Sequence, residues 1–390
     1  MIAAALRCRT RGAGRYRLVL SLLLLAFAMP LSACTLGTSP KINLTTPVAS
    51  FGSNPGALLM FKYVPAKPAP EPAMVVVLHH CFQHANDYIE EAAWRALADR
   101  YGWVLLMPEQ QGSNDFNRCF GWYSSNNKRG HGEVESIRQM VEKMAADYHV
   151  DRRRIYLTGL SSGGSMTLVL LATLPDVFAG GGVIGGVPFG CATSAVNLPG
   201  CQTVGVTMTV KELADAVRAA SPPRDPPWPI LSVWHGPYDM VSNPSNGTNI
   251  VAQWTAVQQT TTVREDRVEG YPHFVYSDAS GRPLVEFYNM TGMGHSVPMD
   301  FKRGCGDGRD GLGNFVSDMH ICSSFYIAKF WGLIPETDTL VPNPLATGAP
   351  ATPPPATSPP TTSAPTTSSL NWRTPGEEAY PISQAAGEPD

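Results

Sequence analysis

Hydrophobic and polar positions follow two rhythms along residues 57–335. Short unbroken apolar runs, "ALLMFKYV", "MVVVLHH", "WVLLMPE", "RIYLTGL", "AGGGVIGGV", "WPILSVWHG" and "LVEFYNM", read as buried strands. Between them, apolar residues recur every three or four positions, the helical period. "NDYIEEAAWRALADRYG" predicts one helix, with Asn86 as its N-cap and Gly102 as its stop. "GEVESIRQMVEKMAADYHV" places Ile137, Met140, Val141 and Met144 on one helical face. Further helices are expected over "SSGGSMTLVLLATLP", over residues 247–259 and over "NFVSDMHICSSFYIAKFWG". Alternating strands and helices predict an α/β fold, a mostly parallel central sheet with helices on both faces. Ligands of such sheets sit beyond the carboxyl ends of the strands.

The flanks break this rhythm. Arg7, Arg9, Arg11, Arg15 and Arg17 precede the apolar run "LVLSLLLLAFAMPL", which ends in "LSAC". Residues 1–33 therefore read as a lipoprotein-type signal peptide, and Cys34 as the residue that would carry lipid; plain secretory cleavage is the alternative. A lipidated Cys34 would anchor an exported domain to a membrane, leaving it periplasmic, outer-membrane-bound or extracellular. Residues 34–56 are polar and read as a tether. Residues 336–390, with "ATPPPATSPPTTSAPTTSS", read as a Pro/Thr/Ser-rich disordered tail, leaving 57–335 as the one folded domain. No separate binding domain is expected after that tract.

Charge narrows the partners. The chain of 390 residues has a net charge of −3 with 16% charged residues, and no basic block beyond the N-terminus. Nucleic-acid binding has no electrostatic footprint. Export implies an oxidising compartment. Beyond Cys8 and Cys34 remain Cys81, Cys119, Cys191, Cys201, Cys305 and Cys322. Pairing of sequence neighbours is expected, among about 15 possible connectivities.

The sharpest chemical signal is "GLSSGG", residues 159–164, between a strand and an apolar helix. Its G-x-S-x-G centres on Ser161, a strand-to-helix elbow that lifts a serine hydroxyl above the sheet. Such a serine needs a base and an orienting acid, in the order Ser, acid, His. His295, in the Gly-rich "MTGMGHSVP" after a strand, is the expected base; His235 and His320 read as structural, and His273 sits in a polar segment. Asp239, just past the strand "ILSVWHG", is the expected acid, with Asp225 and Asp278 as rivals. "MVVVLHHCFQH" places His79, His80 and Cys81 at a strand end, where the N–H groups of Cys81 and Ser162 would form an oxyanion hole. A bridge from Cys81, with Cys119 as one candidate partner, would hold that amide. The alternative, a metal site on these histidines, is disfavoured because an exported cysteine with five companions is expected to be oxidised; no metal or cofactor is expected.

These residues resemble the polyhydroxybutyrate depolymerase and feruloyl esterase family of secreted serine esterases. The resemblance is carried by "LHHCFQ", "LLMPEQ", "NRCFGWY", "RGHGEVESI", "VDRRRIYLTGLSSGG", "PDVFAGGGVIGGVPFGCA", "WHGPYDMVSNPSNG" and "GMGHSVP". It implies an α/β-hydrolase fold, a Ser161–Asp239–His295 triad and an oxyanion position at Cys81. The family usually has His-Gly-Cys where this chain has His79-His80-Cys81, so His80 is expected to strain or narrow the hole.

The expected activity is hydrolysis of carboxylic esters through an acyl-enzyme, on small feruloyl or short-chain substrates. Alternatives are a depolymerase of polyester oligomers and a non-catalytic surface-binding lipoprotein. His80, Trp122 and Trp234 are candidate cleft residues, as are Trp94 and Tyr123.

Overall fold

The computed structural model describes residues 45–224, 227–305 and 315–340. The first half runs β1 (Thr46–Pro47), β2 (Leu59–Tyr63), β3 (Met74–Leu78), α1 (Ala85–Glu91), α2 (Trp94–Tyr101), β4 (Val104–Glu109), α3 (Gly132–Tyr148) and β5 (Ile155–Leu160). Next come α4 (Ser162–Thr173), β6 (Gly180–Ile184), a π-helical turn at Gly200–Val204, α5 (Val210–Ala219), β7 (Ile230–His235) and α6 (Ser245–Gln258). The rest is β8 (Thr262–Val268), β9 (Tyr271–Ser277), β10 (Pro283–Asn289), β11 (Val297–Met299), β12 (Val316–Asp318) and α7 (Ser323–Phe330).

Ten strands form one sheet in the order β1-β2-β4-β3-β5-β6-β7-β10-β9-β8. The stretch from β4 to β10 is parallel, and both edges are antiparallel. The sequence of β3 shows why its runs are continuous. Met74, Val76 and Leu78 enter the core under α3, α4 and α6, while Val75 and Val77 enter the opposite core under α1, α2 and α7. A strand covered on both faces has no polar side to display. Burial of each such side chain contributes about 2 kcal/mol.

Several elements depart from expectation. Residues 45–56, expected as tether, join the domain. Thr46 pairs with Lys62 as β1, and the backbone N–H of Asn54 and of Gly56 donate to Gln139 and Ser136 at 2.9 and 2.8 Å. The long first helix is two, broken where Ala93 takes a φ of 58°. Its start is capped from outside: the Ala85 N–H donates to Glu109 at 2.8 Å, and His84, not Asn86, holds the N-cap position. The final helix begins only at Ser323. Val316–Asp318 instead pairs parallel with β11, and His320, expected in the core, is exposed at a φ of 55°. The β8–β9 hairpin and α5 were not expected. The signal peptide, Cys34 and residues 341–390 lie outside the described residues, as does Asp225.

Three disulfides join Cys81 to Cys119, Cys191 to Cys201 and Cys305 to Cys322, the sequential pairing. Among the described residues, no helix is long and apolar enough to cross a membrane.

Candidate active site

The parallel strands bring their carboxyl ends together. β5 ends at Leu160, and Ser161 follows at φ 58° and ψ −118°, a strained conformation for a residue with a Cβ. The Ser161 N–H donates to the Ile184 carbonyl at 2.9 Å, tying the elbow to β6. A Cβ on Gly163 would overlap the carbonyl oxygens of Leu78 and His79, so only glycine lets α4 start this close to β3. That contact aims the helix start and the end of β3 at one point.

His295 follows β10 and Asp239 follows β7, the strand beside it. The His295 Nδ1–H donates to Asp239 Oδ2 at 2.7 Å. Asp239 Oδ1 accepts the N–H groups of Val241 and Ser242 at 2.9 and 2.7 Å, so the loop backbone orients the carboxylate. Burial pushes the Asp239 carboxyl up, but the hydrogen bond and charge of His295, the Ser242 N–H and nearby His235 outweigh it and leave the group low. The two loops are also joined directly, Tyr238 N–H to Met293 carbonyl at 3.2 Å. Gly185, at a φ of +56°, leaves the imidazole its room: a Cβ there would stand 3.1 Å from the His295 ring.

Ser161 and His295 line one cavity of about 340 Å³, together with Cys81 and Ser162. No hydrogen bond joins Ser161 to His295 among the described residues, a contact that in free enzymes commonly tightens only with substrate. Ser162 opens α4, so its N–H is one of the helix's unsatisfied donors. Cys81 is fixed on both sides: by its bridge to Cys119 and by the Phe82 N–H donating to Asn117 at 2.6 Å.

The histidines of residues 79–84 take separate paths. His79 is fully buried; its Nδ1 donates to the His80 carbonyl at 2.7 Å and its Nε2 accepts the Gln110 N–H at 3.0 Å. Burial pushes its pKa down to about 3. His84 lies at the surface beside Glu109 and Arg118. His80 lines the cavity, and its φ is not positive, so the expected backbone strain does not arise there. The positive φ of this turn, 63°, falls on Phe82.

Of the expected cleft residues, His80, Trp122 and Tyr123 line the cavity. Trp234 does not. It is fully buried on β7 beside β10, stacked on Tyr288 at 3.7 Å, with its indole N–H on Ser232 at 2.8 Å. Trp94 is likewise buried against Trp331.

Three residues were missed by sequence reasoning. Phe315 lines the cavity and touches both His80 and His295, placed there by the Val297 N–H donating to its carbonyl at 2.8 Å. His235, read as structural, sits behind Asp239, with Nε2 3.4 Å from Oδ2 and 3.2 Å from the Ser242 carbonyl. Phe82 is 68% exposed at the cavity rim. Away from the cleft, Asp300, Asp318 and His320 bring ligand-type atoms within 4.8 Å of one another. There Asp300 is already paired with Arg303 at 2.5 Å.

A serine at a strained β5–α4 elbow, facing a His–Asp pair past later strands of a parallel sheet, defines an α/β-hydrolase. Residues 59–269 match the family described as esterase PHB depolymerase. The chain is 41% identical over 315 residues to poly(3-hydroxyalkanoate) depolymerase C of Paucimonas lemoignei, covering 80% of this chain and 75% of that one. It is 35% identical to feruloyl esterase B of Talaromyces stipitatus, over 65% of this chain and 73% of the relative. The acetyl xylan esterase structure from Aspergillus awamori shares the fold at a TM-score of 0.60, with 24% identity, covering 74% of this chain and 99% of that one. The chain belongs to the PHB depolymerase family of esterases and is a carboxylic ester hydrolase.

Proposed function

We propose that Ser161 attacks the ester carbonyl, His295 takes its proton and returns it to the leaving alcohol, and Asp239 holds His295 in the Nδ1–H tautomer. The N–H groups of Cys81 and Ser162 receive the oxyanion, and water then releases the acid from the acyl-serine. One observation carries this reading: Ser161 opens on the same cavity as a His295 bonded to a buried carboxylate at 2.7 Å. Fluorophosphonate is expected to label the wild-type chain and not Ser161→Ala, and that variant is expected to lose about 10⁴-fold or more in kcat. Labelling that persists without Ser161 overturns the choice of nucleophile, and a wild type that neither labels nor hydrolyses overturns the reading in favour of a binding protein.

The preferred substrates are small esters, feruloyl or short-chain acyl. A cavity of about 340 Å³, with Trp122 and Tyr123 on its wall, supports one aryl or short acyl group. A second reading is hydrolysis of polyester oligomers. It is favoured by exposed apolar residues, Phe82 in the cavity lining and Phe116, Tyr238 and Met240 close in sequence to lining residues, and by the similarity to a depolymerase. Methyl ferulate, nitrophenyl butyrate and hydroxybutyrate oligomers, compared by kcat/KM, separate the two. The three disulfides support an oxidising compartment. We place the protein outside the cytoplasm, held to a membrane through lipid on Cys34.

A further inference from the structure

The His80 side chain lies inside the cleft and has no part in the acyl-transfer scheme. Its ring meets Phe315 edge-on at 4.7 Å, and the same Phe315 meets His295 at 5.9 Å. The residue is only 7% exposed, so packing sets its orientation.

Its two nitrogens differ. Nδ1 lies 2.6 Å from the Cys81 carbonyl oxygen. A carbonyl only accepts, so Nδ1 carries the proton, and Nε2 of the neutral ring is a bare lone pair. Burial keeps the ring neutral, pushing its pKa down to about 4 against the pull of the Cys81 carbonyl; His295 adds to the fall. Nε2 makes no hydrogen bond to the described residues, yet it is not among their sealed, unpartnered polar atoms. It therefore keeps some solvent contact, in a residue that lines the cavity.

A bare acceptor at this place has few uses. It cannot donate to an oxyanion, and it cannot bind an ester carbonyl or ether oxygen, which also only accept. The hydrogen-bond donor that an ester substrate can offer it is a hydroxyl. We infer that His80 is a specificity residue that selects hydroxyl-bearing esters by accepting a substrate O–H at Nε2. The inference rests on Ser161 being the nucleophile of this cleft.

The test compares matched esters with and without a hydroxyl. Nitrophenyl 3-hydroxybutyrate against nitrophenyl butyrate probes the acyl side; 2-hydroxyethyl butyrate against propyl butyrate probes the alcohol side. Wild type is expected to favour the hydroxylated member of at least one pair by about tenfold in kcat/KM, the size of one hydrogen bond. His80→Phe and His80→Ala are expected to bring that ratio close to one, and His80→Gln, which restores an acceptor oxygen, to recover part of it. Fluorophosphonate labelling of each variant reports separately on the Ser161 site. Should His80→Phe fail to label, His80→Ala carries the comparison. Labelled variants with the wild-type ratio in both pairs, or a wild type indifferent to the hydroxyl in both, overturn the inference. So does a His80→Gln ratio no better than that of His80→Phe.

Discussion

Asp239 serves two masters at the residue scale. One oxygen is fixed by two loop N–H groups and the other takes the His295 ring. Asp239→Asn keeps the first arrangement, because the amide oxygen still accepts from Val241 and Ser242. It then turns an NH₂ toward Nδ1 and favours the wrong tautomer. We expect kcat to fall about 10⁴-fold with the melting temperature nearly unchanged; a variant within tenfold of wild type removes Asp239 from the mechanism. Ser161 was legible in the sequence because its elbow demands glycine at fixed positions, which leaves a pattern. Trp234 was misplaced for the opposite reason. An aromatic at a strand end can face the cleft or the sheet's covered face, and only the partner strand β10, with Tyr288, decides. Phe315 left no signal, since it reaches the cleft through pairing of β11 and β12.

Element by element, hydrophobic period was the most reliable guide. Strands buried on both faces declared themselves as apolar runs. The β8–β9 hairpin did not, because "TVREDRV" carries charges on both faces of an edge strand. The helix α3 adds a feature that periodicity cannot show. Its first-turn Glu133 is buried and accepts the Gly121 N–H at 3.0 Å and the Gln110 amide at 2.7 Å, clamping the segment that carries Cys119 and Trp122. Burial pushes its pKa up to about 7, against the hydrogen bonds from Gly121, Gln110 and Asn127. The folded state thus prefers the neutral acid. Stability present below the unfolded value near 4.5 is lost as pH rises to about 7, by an amount on the order of 3 kcal/mol. Urea midpoints measured across that window should fall in wild type and flatten in Glu133→Gln; parallel profiles would show that Glu133 does not titrate there.

For the whole molecule, the alternation of elements predicted the parallel centre of the sheet, but composition misjudged its margin. Residues 45–56 are polar enough to read as a tether, yet their backbone groups find partners on β2 and α3. Polar composition says little where hydrogen bonds to a sheet edge do the holding. The proposed placement of the molecule depends on Cys34, just after the apolar run of residues 18–31. In a bacterial host with lipidation machinery, labelled palmitate is expected to enter the wild-type chain and not Cys34→Ser, and the variant to leave the membrane fraction. Absence of label in wild type would return the leader to ordinary secretion.

On the proposed mechanism, the bridge between Cys81 and Cys119 also sets when the catalyst can work. It clamps an amide that must meet the developing negative charge. A newly made chain with both thiols free has that amide positioned only by its neighbours' contacts, the Phe82 N–H on the Asn117 carbonyl and the His80 ring on the Cys81 carbonyl. Full potency then arrives only after oxidation, so ester hydrolysis is held back while synthesis is under way.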